Sequence, residues 1–199
     1  MKHIPLLLVL SLFIGCNTVT KKEVTSTIES KSETVEEELN TKVLGDYTSL
    51  FTTYQCDIGI EEISKILNVP IADLEMPSHL NNGKNCGLRY SRSGTYESNL
   101  TWGIVKTTKE GNKKAIAEAL KDKEENVSVL GSDMIIAETG DCYLLRTPIN
   151  GRITIRNANY ENAFQLFYGS KSRRSKEQHH ELKVKMTKLA NYLLKKYRK

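Results

Sequence analysis

Residues 86–104 contain Cys86-Gly87-Leu88-Arg89-Tyr90-Ser91, a break at Ser93-Gly94-Thr95, and then Leu100-Thr101-Trp102-Gly103-Ile104. Cys86, Leu88 and Tyr90 alternate with small or polar residues, and so do Leu100, Trp102 and Ile104. A period of two puts each apolar set on one face of a strand, and a Ser-Gly-Thr break between two such runs marks a hairpin. The return strand is expected to reach about Thr107. This hairpin sets the fold class, because strands joined by tight turns make an antiparallel sheet.

The elements on either side fit that sheet. Ile60, Ile63 and Leu67 share one face of a short helix over Ile60–Leu67, with Glu61 and Glu62 in its positive first turn and Asp57 as the expected cap. Asn68 and Pro70 end it, and residues 70–84, with Pro70, Pro77 and Asn81-Asn82-Gly83, read as a loop. A second helix is expected over Asn112–Asp122, with Ala115, Ile116, Ala119 and Leu120 on one face. Met134–Ala137, Cys142–Arg146, Arg152–Arg156 and Ala163–Tyr168 read as strands, with Pro148-Ile149-Asn150-Gly151 as a turn. Ser175-x-x-Gln178 is a capping box that opens a last helix. Its apolar stripe is Leu182, Met186, Leu189, Leu193 and Tyr197, flanked by Lys183, Lys185, Lys188 and Lys195. The expected architecture is α+β: an antiparallel sheet built from hairpins with about three helices packed on one side.

The N-terminus has a different composition. Met1-Lys2-His3 precedes an apolar run from Ile4 to Ile14, then Gly15-Cys16. A charged start, a short apolar core and a small residue before the cut describe an export signal, too short to span a bilayer. Leu12-Phe13-Ile14-Gly15-Cys16 resembles the lipobox of lipoprotein signal peptidase substrates, with Phe13 where Leu is usual. The resemblance implies that Cys16 receives a diacylglycerol and becomes the first residue of the mature protein. Residues 1–15 are then the signal peptide, 16–43 the lipidated cysteine and a flexible tether, and 44–199 a single domain. The tether is polar and charged, with Val24, Ile28, Val35 and Leu39 as its few aliphatic residues, too little apolar surface to offset the entropy of ordering. As a flexible chain it reaches roughly 25–30 Å, enough to hold the domain clear of the bilayer. The expected location is the cell envelope, anchored through Cys16 to a bacterial membrane and facing periplasm or exterior.

Outside the cytoplasm a disulfide is allowed. Cys56, Cys86 and Cys142 permit three single pairings with one thiol left over. Cys56–Cys86 is favoured, because Cys56 sits just before a helix, Cys86 opens a strand and a loop lies between. The bond is expected to contribute roughly 3–4 kcal/mol in the loop-entropy picture. Cys142, in Asp141-Cys142-Tyr143-Leu144-Leu145, reads as a small apolar residue of a buried strand.

Charge is asymmetric. From Lys171 to the end there are eleven Lys and Arg against Glu177 and Glu181, a balance of +9; the chain as a whole is +5, so residues 1–170 sum to −4. The favoured reading of the basic stretch is a solvated helix face, with an anionic partner or membrane surface second and no nucleic-acid role.

No motif carries catalytic or metal chemistry. Gln178-His179-His180-Glu181 puts its two histidines at i and i+1, about 100° apart on a helix, so they do not converge on one ion. His79 lies in a loop with no partner in view, no Cys-x-x-Cys occurs, and Cys142 has no histidine near it in sequence. Signature spacings for zinc hydrolases, P-loops, dinucleotide folds and the Gly-x-Ser-x-Gly elbow are absent. No catalytic residue, metal or cofactor is expected. The best candidate contact surface is the hairpin itself, with Arg89, Tyr90, Arg92, Tyr96 and Trp102, since aromatic and arginine side chains dominate binding hot spots. Alternation directs Arg89 outward, opposite Leu88 and Tyr90.

A cysteine before a short helix (Cys56, then Ile60–Leu67), a second cysteine opening a hairpin (Cys86), a Gly131-Ser132-Asp133 step into paired strands, and a closing amphipathic helix (Leu182–Tyr197, with Lys188-Leu189-Ala190) form one pattern. It is similar to small actinobacterial lipoproteins and to the extracellular sensor domain of a mycobacterial serine/threonine kinase. Those domains carry paired disulfides, and this chain has one cysteine too few for two. The resemblance implies a binding or sensing module with a cleft and no catalytic apparatus. The expected function is a membrane-anchored, non-enzymatic binding or sensing module for a protein or small molecule. The alternatives are an inhibitor or immunity-type lipoprotein that binds a hydrolase or toxin, an enzyme whose site is assembled from distant residues in a deep cleft, and a structural part of an envelope assembly.

Overall fold

The computed structural model describes residues 45–92, 96–127, 132–169 and 174–199. The signal peptide, Cys16, the tether, Ser93-Gly94-Thr95 and Gly131 lie outside the described residues. Four helices and seven strands are present among those described: α1 (Thr48–Phe51), α2 (Ile60–Leu67), β1 (Leu74–Glu75), β2 (Asn85–Arg92), β3 (Tyr96–Lys106), α3 (Lys109–Glu124), β4 (Asp133–Ile136), β5 (Tyr143–Thr147), β6 (Arg152–Arg156), β7 (Asn162–Phe167) and α4 (Lys176–Tyr197). The strands form one sheet in the order β1-β2-β3-β7-β6-β5-β4, antiparallel at every pairing. The fold is α+β on an antiparallel sheet.

Two hairpin systems meet at the centre, where β3 pairs with β7. Register then decides which residues share a face. Cys86 pairs with Trp102, Trp102 with Leu166, Leu166 with Ile153, and Leu144 with both Ile155 and Ile135. These residues line the face that packs against α1, α2 and α4, whose Leu50, Phe51, Ile63, Leu67, Leu182, Met186, Leu189 and Leu193 are all buried. Fully burying a residue of this kind stabilises by about 1.5–3 kcal/mol, so this layer supplies most of the driving force for folding.

Three helices share that face, and α3 lies on the other. Met134, Tyr143 and Leu145 on that face are apolar and need cover, and Ile116, Ala119 and Leu120 of α3 supply it in a second, smaller core. Asn112 fastens the start of α3: its amide donates to the carbonyls of Tyr160 and Asn162 and accepts from Arg156. Gly87, on this same outer face, is a close approach. A Cβ there would stand 2.2 Å from the Cβ of Leu80, which sits in a short 3₁₀ turn (Ser78–Leu80) laid over β2.

Several local expectations need correction. Asp57 does not cap α2; Gly59 holds the cap position with no side-chain bond, and Asp57 instead accepts from the Tyr197 hydroxyl and pairs with Lys196. The second helix begins at Lys109, capped by the Thr108 hydroxyl accepting from the Gly111 N–H. The 70–84 loop contains β1 and two 3₁₀ turns. The basic final helix is not a simply solvated face: Lys183, Lys185, Lys195, Lys196 and Arg198 are each paired with carboxylates of this chain.

The capping box of α4 is present on both sides, with Ser175 Oγ accepting from Gln178 N–H and Gln178 Oε1 accepting from Ser175 N–H. Ser175→Ala is expected to lower the unfolding free energy by about 1 kcal/mol. Chemical denaturation would read this as a lower midpoint at unchanged slope. An unchanged midpoint would mean the box contributes nothing.

Candidate functional site

The two ends of the sheet differ in chemistry. At one end the chain enters the described fold at Gly45, beside its own C-terminus. Asp46 and Lys199 exchange two backbone hydrogen bonds (3.1 and 3.0 Å). Asp141, 5% exposed, joins the two: its carboxylate accepts from Gly45 N–H (2.8 Å) and Tyr47 Oη (2.5 Å), and Arg198 approaches to 3.4 Å. Burial, then the Asp141 hydrogen bond, holds the Tyr47 phenol well above its ordinary range. Cys142, the free thiol among the described residues, is enclosed here. Burial pushes it up to about 12, against the hydrogen bond from Asn157. Burial of this kind disfavours the thiolate, the form that a nucleophile needs.

At the other end lie Arg92, Ser98, Asp133, Arg146, Tyr168 and the first half of α4. Glu181 of α4 accepts from Tyr90 Oη (3.2 Å) and Arg92 (3.1 Å), with Lys185 at 3.6 Å. Arg174 donates to Ser98 Oγ (2.6 Å), and Ser98 Oγ to the carbonyl of Tyr168 (3.4 Å). Asp133 and Arg146 face each other across β4 and β5. Arg146 grips the Asp133 carboxylate with two bonds, Nε to Oδ1 at 2.8 Å and Nη2 to Oδ2 at 2.6 Å. Lys183 of α4 reaches the same Oδ2 at 2.9 Å. The Tyr168 ring is fully buried, with the His179 ring 5.2 Å from it. Its hydroxyl is pushed up to about 12, by burial first and by the field of Asp133, with Arg146 opposing.

Cations outnumber carboxylates in these contacts. Arg92, Arg146, Arg174, Lys183 and Lys185 stand against Asp133 and Glu181 in these contacts. At the opposite end Lys195, Lys196 and Arg198 meet Glu138, Glu62, Asp57 and Asp141. A groove of about 510 Å³ runs between α3 and the β4–β5 edge, lined by apolar Ala119, Met134 and Leu145 and by charged Glu118, Asp122 and Asp133.

The hairpin residues singled out by sequence do not form one surface. Trp102 and Tyr90 are each 2% exposed and lie in the core under the helices. Arg89 is on the opposite face, paired with Glu75 and Glu97 at 2.8 and 2.9 Å. Arg92 pairs through its backbone with Tyr96 and turns to Glu181. The side chain of Tyr96 and the lipidation position Cys16 lie outside the described residues. Cys56 and Cys86 form a disulfide. His179 is buried and His180 exposed, and among the described residues no group of three or more His, Cys, Asp or Glu converges. No described helix is long and apolar enough to cross a membrane.

The Asp133–Arg146–Lys183 cluster was missing from the sequence reading, although part of it was within reach. A hairpin that pairs Ala137 with Cys142 brings Asp133 opposite Arg146 four steps along. Only Lys183, fifty residues further on, needs the tertiary fold. Compared with known proteins, the chain matches no family model, no curated protein and no solved structure.

Proposed function

We propose that this chain is a lipid-anchored, extracytoplasmic binding module that holds a ligand by charge and hydrogen bonding and does not transform it. The observation that carries the reading is the contrast between the two ends of the sheet. Where the chain enters, cations are matched by carboxylates, and at the far end the part-buried Arg146 and Lys183 share the carboxylate of Asp133. The lipobox-like run ending at Cys16 supplies the anchor, and the Cys56–Cys86 disulfide suits an oxidising compartment. A buried, protonated Cys142 and carboxylates held in ion pairs favour binding over nucleophilic or acid–base chemistry.

The test compares the full chain with its Cys16→Ala variant in a bacterial host, followed by gentle affinity purification and mass spectrometry. The full chain is expected in the membrane fraction, with an N-terminal peptide that starts at an acylated Cys16 and with a co-purifying molecule. The variant is expected in the soluble or unprocessed fraction. An unchanged distribution of the variant would overturn the anchor, and turnover of a co-purified compound would overturn the non-enzymatic reading.

A further inference from the structure

Two cations share one carboxylate between α4 and the β4–β5 end of the sheet. Arg146 and Lys183 both bond Asp133, and no other carboxylate touches either of them among the described residues. One unit of positive charge is left over at side chains only 18% and 21% exposed. Burying charge without its complement is unfavourable, and so is burying a polar group with no partner. Both conditions meet here. The hydroxyl of Tyr168 is buried with no hydrogen-bond partner, on a residue with no exposed surface. Tyr168 continues β7 on the helix-side face, two residues past Leu166, whose partner Ile153 pairs in turn with Arg146. A native fold rarely leaves such a donor idle without a reason.

Donors remain at this place. Lys183 carries three N–H groups and uses one on Asp133, and Tyr168 keeps its O–H. Asp133, 40% exposed, marks the side open to solvent. Sequence does not restore the balance from the neighbouring connections: residues 128–131 and 170–173 contain no Asp or Glu, and the second holds Lys171 and Arg173. The geometry points to an oxyanion site at Lys183, Arg146 and the Tyr168 hydroxyl, which takes a carboxylate or phosphate group of a ligand and completes the charge that Asp133 only half meets. This inference rests on the reading of the chain as a binding module and names the chemical group that the module recognises.

The experiment uses the purified full chain in detergent and titrates it with sodium acetate or inorganic phosphate. Chloride keeps the ionic strength constant, so that screening does not imitate binding. Thermal midpoint and the ring signals of isotopically labelled tyrosine are the readouts. Saturable binding of either anion with a shift at Tyr168 is expected, and the preferred anion names the ligand group. Lys183→Met, which keeps the aliphatic stem, is expected to weaken binding at least about tenfold. Tyr168→Phe is expected to weaken it about five- to tenfold, and to raise the anion-free thermal midpoint by about 2–4 °C because it removes a buried donor without a partner. Linear, non-saturating shifts, or binding unaffected by Lys183→Met, would overturn the site. So would a Tyr168→Phe midpoint at or below that of the parent. If these arms fail while a partner still co-purifies with the lipidated chain, the binding module stands and only this site falls.

Discussion

Truncation of Trp102 to alanine is expected to cost about 3–5 kcal/mol of folding free energy, a large share of the total for a domain of this size. Trp102 lies where β2, β3 and β7 meet, paired with Cys86 on one side and Leu166 on the other. Its indole N–H donates to Tyr54 Oη at 2.8 Å, and that oxygen is 3.1 Å from Cys86 Sγ. Tyr54 packs edge-on against Phe164 and Tyr197, 4.8 and 5.6 Å away between ring centres. The truncation therefore opens a cavity at the junction of both hairpin systems and removes a hydrogen bond from a buried phenol. Trp102→Phe refills most of the space and loses only the N–H, so about 1–2 kcal/mol is expected there. Trp102 is the one tryptophan of the chain. Its own fluorescence vanishes in both variants, and circular dichroism during chemical denaturation is the measurement. A loss below about 1 kcal/mol for the alanine variant would show that the junction collapses around the gap.

The same residue shows how far sequence carried the fold. Period-two alternation fixed Trp102, Leu100, Leu88 and Cys86 on one face and Arg89 on the other, because a pleated strand leaves no other choice. The capping box at Ser175 and the stripe from Leu182 to Leu193 were equally local and equally legible. α1 was not. Four residues show no period, and Tyr47 at its start makes no side-chain cap, yet Tyr47, Leu50 and Phe51 are wholly buried. Asp57 illustrates the opposite error. It has the right chemistry for a cap, but Tyr197 and Lys196, brought from the far end of the chain, claim its carboxylate. The pairing of β3 with β7 has no local signature either.

The candidate site was harder to read for a related reason. Arg89, Tyr90, Arg92 and Trp102 were grouped by residue type, and alternation splits them between two faces and between core and surface. The charged cluster depends on a cross-strand register, a helix placed over it, and a tyrosine beyond the end of β7. Composition showed that the C-terminal stretch is basic. It could not show that Lys183, Lys185, Lys195, Lys196 and Arg198 are paired with carboxylates, nor that Lys183 shares its carboxylate with Arg146.

Replacement of both Cys56 and Cys86 by alanine is expected to lower the unfolding free energy by about 2–4 kcal/mol. The bond ties the segment before α2 to β2 across a separation of 30 residues, so its loss enlarges the unfolded ensemble. It also removes Cys86 Sγ from the Tyr54 hydroxyl, a native contact. Cys142 makes the experiment clean. Enclosed and pushed up to about 12, it offers no thiolate to attack the disulfide while the domain is folded. In a Cys16→Ala background, the folded protein is expected to show no thiol reactive toward an aromatic disulfide reagent. The unfolded protein is expected to show one, Cys142, and the unfolded and reduced protein three. The double alanine variant should keep the single masked thiol and unfold at lower denaturant. Its slope should rise slightly, because an uncrosslinked chain exposes more surface. A loss of 2–4 kcal/mol is roughly a 30- to 1000-fold change in the ratio of folded to unfolded chains. That factor is what an oxidising compartment would supply to this domain and a reducing one would withhold. If the double variant unfolds within about 0.5 kcal/mol of the parent, the crosslink is not what secures β2. The core around Trp102 would then carry that role alone.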